Sequence, residues 1–163
     1  MNNREESGEI EAELWIRSFA PVGGDERQEA AVERLQRMAN EGRLADLTVR
    51  MWGKKMRRSS AAAYTEEGQV VFDRFEEFRE WAAGEGRELE PFFEERTERC
   101  EFTDTEDSVV VLPSVALAEY RDDDLVHLAP HVDGDERVTV RERIEQLRGE
   151  DDAEVARTVV AAE

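Results

Sequence analysis

Hydrophobic periodicity constrains this chain more than any other feature of its sequence. Ala12, Leu14 and Ile16 alternate with Glu13, Trp15 and Arg17 in the stretch Glu11 to Phe19, the two-residue period of a strand. After the pair Gly23-Gly24 the period changes. Val32, Leu35, Met38 and Ala39 share one helical face, Asp25 with Gln28 has the form of a capping box, and Gly42 supplies a stop. Alternation returns at Leu47, Val49 and Met51. A strand, a helix long enough to cross over and a second strand make a βαβ unit, so the two strands should lie parallel in an α/β architecture.

The segment WGKKMRRSSAAAY, residues 52–64, reads as a loop. A second helix is expected from about Gln69, with Val71, Phe75, Phe78 and Ala82 on one stripe, Val70, Phe72 and Trp81 beside it, and an end at Gly84 or Gly86. Residues 87–107 are too charged to assign, beyond a helical turn at Pro91-Phe92-Phe93 and a short strand at Cys100-Glu101-Phe102. From Ser108 to Pro130 the sequence reads as an apolar strand, an acidic turn at Asp122–Asp124 and a return strand, which is a β-hairpin. Thr139 and Glu142 frame a second capping box, opening a helix through Ile144 and Leu147 to Gly149. A single domain over residues 9–148 follows, with a flexible N-terminus at 1–8 and an acidic, mobile tail at 149–163.

Charge bears on where such a domain works. The chain of 163 residues has a formal net charge of −19, and all its basic residues are arginine except Lys54 and Lys55. Small domains usually carry a net charge of magnitude about 2–8. The excess self-repulsion is screened only in concentrated salt, where the Debye length falls to about 3 Å at 1 M. This composition resembles that of proteins from halophilic archaea. Seven Phe and three Trp oppose a disordered reading. One cysteine, Cys100, excludes an internal disulfide framework and any multi-cysteine zinc site. The polar N-terminus is unlike a signal peptide, and no apolar run approaches a membrane span of ~20 residues. The expectation is a cytoplasmic protein.

The order β-α-β-α-β-β-α resembles that of the thioredoxin-like fold, a three-layer sandwich in the α/β (α+β) class. Two strings carry the likeness. FAPVGGDERQEAAVERLQRM resembles the thioredoxin active-site segment, and VLPSVALAEYRDDDLVHLAP resembles the segment with the cis-proline and hairpin, which implies Pro113 as the cis-proline. Another α+β sandwich, such as a ferredoxin-like fold, also begins strand–helix–strand and stays open. The whole chain further resembles a group of small haloarchaeal proteins, some labelled helix-turn-helix. The thioredoxin motif itself is missing. Residues 22–26 read Val-Gly-Gly-Asp-Glu, and dithiol exchange needs a thiolate and a resolving cysteine there. No redox catalysis is expected.

The basic segment Arg50, Lys54, Lys55, Arg57, Arg58 stands out because it holds both lysines. On the thioredoxin-like order it leaves the same sheet edge as Gly23-Gly24 and Pro113. A positive island beside helix N–H groups would suit an anion or a partner's carboxylates, with Trp52 and Tyr64 as stacking surface. A solvated loop whose cations pair with the acidic background is the bland alternative. DNA would suit the KKMRR run, but such affinity drops by roughly 10³–10⁵ between 50 and 200 mM salt for 6–10 phosphate contacts. His127 and His131 should lie about 13 Å apart on a strand and at the surface, not as a metal pair. No serine or carboxylate stands out as catalytic. The sequence therefore leads to a non-catalytic binding or regulatory module for a protein or anionic ligand, with no cofactor and no metal. The site is expected at Gly23, Gly24, Arg50, Trp52, Lys54, Lys55, Arg57, Arg58 and Pro113. A DNA-associated transcriptional regulator using residues 50–58 as a dimer is the alternative, and an enzyme of other chemistry is the third.

Overall fold

The computed structural model describes residues 9–17, 26–58 and 61–149. Strand β1 (Glu11–Arg17) is followed by helix α1 (Glu26–Asn40) and strand β2 (Asp46–Trp52). Strand β3 (Lys55–Arg57), a 3-10 turn (Ala61–Tyr64) and helix α2 (Glu66–Glu85) come next. Strands β4 (Glu94–Cys100), β5 (Thr105–Val111), β6 (Val115–Arg121), β7 (Asp124–Ala129), β8 (His131–Asp133) and β9 (Glu136–Val138) follow, and helix α3 spans 140–149. The N-terminus, Gly23, Gly24, Asp25 and the tail from residue 150 lie outside the described residues.

The chain is a single mixed α/β domain. Four strands form a sheet in the order β2-β1-β6-β7. β1 and β2 are parallel, as the βαβ pattern requires, while β6 runs antiparallel to both β1 and β7. Side chains from both faces are buried. Ala12, Leu14 and Ile16 point into a core with Leu35 and Met38 of α1 and Val140 and Ile144 of α3. Trp15, Ala116 and Ala118 point into a second core with Val71, Phe75 and Phe78 of α2. Helices thus cover both faces of the sheet. This corrects the expectation for Trp15, which alternation placed on the polar face of β1; it is 2% exposed. A strand covered on both sides need not alternate cleanly.

The segment expected to be a single hairpin strand is divided. β5 belongs to a separate sheet of order β3-β5-β4, and β6 starts only at Val115. The break falls at Leu112-Pro113-Ser114, where Pro113 has no N–H to give to a ladder and the Leu112 N–H bonds to the Lys54 carbonyl instead. The peptide bond before Pro113 is trans; the cis bonds are Glu90-Pro91 and Ala129-Pro130. The expected cis-proline is therefore not at 113, where the chain passes from β5 of one sheet to β6 of the other and no single hairpin strand is formed. Residues 87–107, left unassigned above, supply β4, and Cys100 ends that strand, paired with Thr105, with a turn at 101–104. Phe93, expected to open a helical turn, is 1% exposed and sits with rings of Trp52, Phe75 and Phe78 at centroid separations of about 6 Å.

α2 is fixed at both ends. The Thr65 hydroxyl accepts from the Gly68 N–H at 3.0 Å, and Gly86 closes the helix at φ 68° with its N–H directed to the carbonyls of Ala82 and Ala83. Substituting Thr65→Ala should lower stability by about 1 kcal/mol, measured as a shift of the urea midpoint, without changing the circular-dichroism spectrum of the folded state. The hairpin between β6 and β7 turns at Asp122 and Asp123, both at positive φ, a conformation Asp tolerates better than most residues.

Candidate functional site

The basic segment is not a loop throughout. Lys55–Arg57 is strand β3, antiparallel to Val109–Val111, and its pattern of exposed, buried, exposed turns Met56 into the core and leaves Lys55 and Arg57 outside. Its cations have partners. Lys55 Nζ and an Arg57 Nη reach the two oxygens of Glu98 at 3.0 and 2.8 Å. Arg58 meets Glu76 at 3.4 Å and lies over the Phe72 ring. Arg50 donates to Glu13 at 3.1 Å. The hydrogen bond from Lys55, with Arg57 close by, holds the Glu98 carboxyl below its ordinary range. Lys54 is exposed and has no ion pair among the described residues. The positive island is therefore largely neutralised by carboxylates, each surface pair contributing about 0–1 kcal/mol.

The structure brings together several residues of the expected site. The Trp52 indole donates to the Pro113 carbonyl at 3.0 Å, and Gln28, buried in the first turn of α1, donates to the Ser114 carbonyl at 2.9 Å. Trp52 and Pro113 are thus adjacent, on the side where α1 begins. Trp52 stacks on Trp15 with centroids 4.9 Å apart and is 4% exposed, so it offers no free ring face for stacking. Tyr64, by contrast, is exposed. A groove of about 730 Å³ opens between β2–β3 and the start of α2, lined by Arg50, Lys55, Arg57, Phe72 and by Glu66 and Glu67. Its walls carry both signs of charge.

The sequence did not single out Glu13, which organises this region. It is 7% exposed and accepts from Trp15 Nε1 at 2.7 Å, Arg50 and both Nε and Nη2 of Arg74. The only signal for it was an acid between Ala12 and Leu14, in the interior of the strand. Glu119, the acid inside β6, has the same signal and the same outcome. It is held by Nε and Nη2 of Arg143 at 2.7 and 2.9 Å.

The two histidines overturn the sequence expectation. Their ring centroids are 5.4 Å apart, both lie against Trp81, and His131 is 3% exposed. β7 ends at Ala129 and the chain turns back at Pro130, so the strand rise that would separate them does not apply. Burial, with Arg143, His131 and Arg87 adding to it, pushes His127 down to about 3, and His131 is lowered chiefly by burial. No group of three or more His, Cys, Asp or Glu able to hold a metal ion occurs among the described residues. No helix among them is long and apolar enough to cross a membrane.

Fold and surface define a single-domain α/β protein whose unusual exposed feature is a short basic strand beside a groove. Residues 4–152 match the helix-turn-helix domain family, and the chain belongs to it. No curated protein and no solved structure matches the chain. Among the described residues, strands separate α1, α2 and α3 from one another. The 3-10 turn that abuts α2 through Thr65 is only four residues long, too short to be the first helix of a helix-turn-helix.

Proposed function

We propose that this chain is a DNA-associated regulatory protein that acts by binding, without catalysis, in a salt-rich cytoplasm. The family match over residues 4–152 is the observation that carries this reading. The basic segment supports it. Lys54 is exposed, and Arg57 and Arg58 keep about half their side-chain area open while engaged with Glu98 and Glu76. Pairs of this kind exchange at little cost, so phosphates can replace the carboxylates. Because phosphate contacts weaken as salt rises, base contacts or a second DNA-binding copy would be needed at molar salt. The reading that the sequence put first, a protein or anionic ligand, has the groove beside Arg50, Lys55 and Arg57 in its favour.

The test is fluorescence anisotropy with duplex DNA across a KCl series. Replacing Lys54, Lys55, Arg57 and Arg58 with Ser should flatten the slope of log affinity against log salt by roughly 3–4 and weaken binding at least tenfold at low salt. A wild type that binds no duplex, or a variant with an unchanged slope, would sink the DNA reading. Tight retention of inorganic phosphate, lost in the same variant while DNA is ignored, would favour the ligand reading.

A further inference from the structure

We infer that β2 is a self-association edge, on which a second copy of this chain adds its own β2 antiparallel to make a continuous eight-stranded sheet.

An edge strand presents a row of unpaired N–H and C=O groups, and soluble proteins blunt such edges with charges, shortness or cover. The other edges are managed in this way. β4 carries Glu94, Glu95, Arg96, Glu98 and Arg99 within seven residues. β3 has three residues, two of them cations. α2 packs along β7. β2 differs from all of them. It is seven residues long, pairs only with β1 among the described residues, and holds one acid and one base, Asp46 and Arg50. Val49 and Met51 are 39% and 57% exposed, on the same side as Leu47. Beside them a hollow of about 520 Å³ lies between the end of α1 and β2, lined by Gln36, Ala39, Leu47 and Val49 among others. In a chain of net charge −19, a near-neutral, uncovered strand is the place where a second copy meets least repulsion.

Charge also selects the register. Centring the two-fold axis on Arg50 would oppose two arginines, and centring it on Val49 would leave Asp46 facing Trp52. Centred on Thr48, Asp46 of each copy faces Arg50 of the other, and Leu47 faces Val49 on the opposite side of the sheet. Opposite charges and apolar pairs directly across a ladder are the favourable combinations. Thr48 lies four residues from Trp52, the end of β2, so at about 3.3 Å per residue the two strand ends that lead into the basic segments would be roughly 26 Å apart, which places both segments within reach of half-sites ~34–36 Å apart on one duplex. That consequence rests on the DNA reading; the dimer does not.

Analytical ultracentrifugation in molar KCl tests the inference. The wild type should be dimeric at micromolar concentration, and Val49→Lys, at a position already partly exposed, should weaken association about tenfold or more. Asp46→Arg and Arg50→Asp should each do the same alone. Mixed together they should form a heterodimer as tight as the wild type, because both cross-strand pairs become complementary again. If Arg50→Asp fails to fold, for it also touches Glu13, Val49→Lys and Asp46→Arg decide the matter. A monomeric wild type overturns the inference, and so does a dimer indifferent to Val49→Lys. A monomer in which the outward-facing amides of 46–52, those not bonded to β1, also resist hydrogen exchange overturns it too and identifies another segment of the same chain as the cover. A monomer that still binds DNA sinks the dimer alone, and a dimer that ignores DNA sinks the DNA reading alone.

Discussion

Arg143→Ala should lower the unfolding free energy by about 3–5 kcal/mol at pH 7.5, the cost of stripping a buried carboxylate of its partner. Glu119 is 1% exposed, in the middle of the sheet, and Arg143 of α3 grips both its oxygens. Removing the guanidinium leaves the carboxylate facing His127 at 3.4 Å, in surroundings where that imidazole is neutral at this pH. With a urea slope of about 2 kcal/mol/M, the midpoint should fall by roughly 2 M. Replacing both partners, Glu119→Gln with Arg143→Leu, should recover much of the loss, since a neutral pair of similar volume carries no stranded charge. If the single variant unfolds at the wild-type midpoint, Arg143 does not hold α3 to the sheet in the way the geometry indicates.

How much of this was legible in the sequence depended on how far apart the interacting residues lie. The βαβ unit was readable because Leu14 and Leu35 repeat at the periods of their own elements. The stripe Val71, Phe75, Phe78, Ala82 was readable for the same reason, and all four are buried. The turn at Asp122 and Asp123 announced itself through residues suited to positive φ. The second sheet did not, because β4 is built from charged residues and pairs with β5 in the open, so it lacks the apolar alternation that marks a half-buried strand.

The candidate site was harder to read. Lys55 meets Glu98 across 43 residues and Arg50 meets Glu13 across 37, so a composition-based view of residues 50–58 registers an island of charge where the folded chain has pairs. Pro113 lies next to Trp52, but its peptide bond is trans where a cis bond was expected. A motif's surroundings are set by which strands pair, and that is decided over the whole chain. The histidines failed for a related reason. Their separation was computed for one straight strand, and the turn at Pro130 folds the second ring back onto the first.

Those rings lead to the second expected result, a loss of stability between pH 6.5 and 4.5 that precedes the carboxylate transition. An imidazole whose folded pKa lies below its unfolded value of about 6.5 binds fewer protons in the folded state, so stability is full above pH 6.5 and declines as pH falls toward the folded value. For His127 that value is about 3, and His131 is displaced in the same direction. The unfolded carboxylates, near 4, contribute little slope in this window. Allowing for its partial exposure, His127 should cost about 2 kcal/mol between pH 6.5 and 4.5, with His131 acting in the same direction, which urea unfolding at fixed KCl will measure. Glu119 lies near enough to His127 to favour its protonation, but Arg143 already occupies both carboxylate oxygens and opposes a second positive charge. His127→Phe should therefore flatten the profile, and Arg143→Ala should reverse part of it, because the freed Glu119 then stabilises a charged His127 and the variant loses less on acidification than the wild type. A wild type equally stable at pH 6.5 and 4.5 would show that the rings are hydrated and charged, contrary to their packing against Trp81.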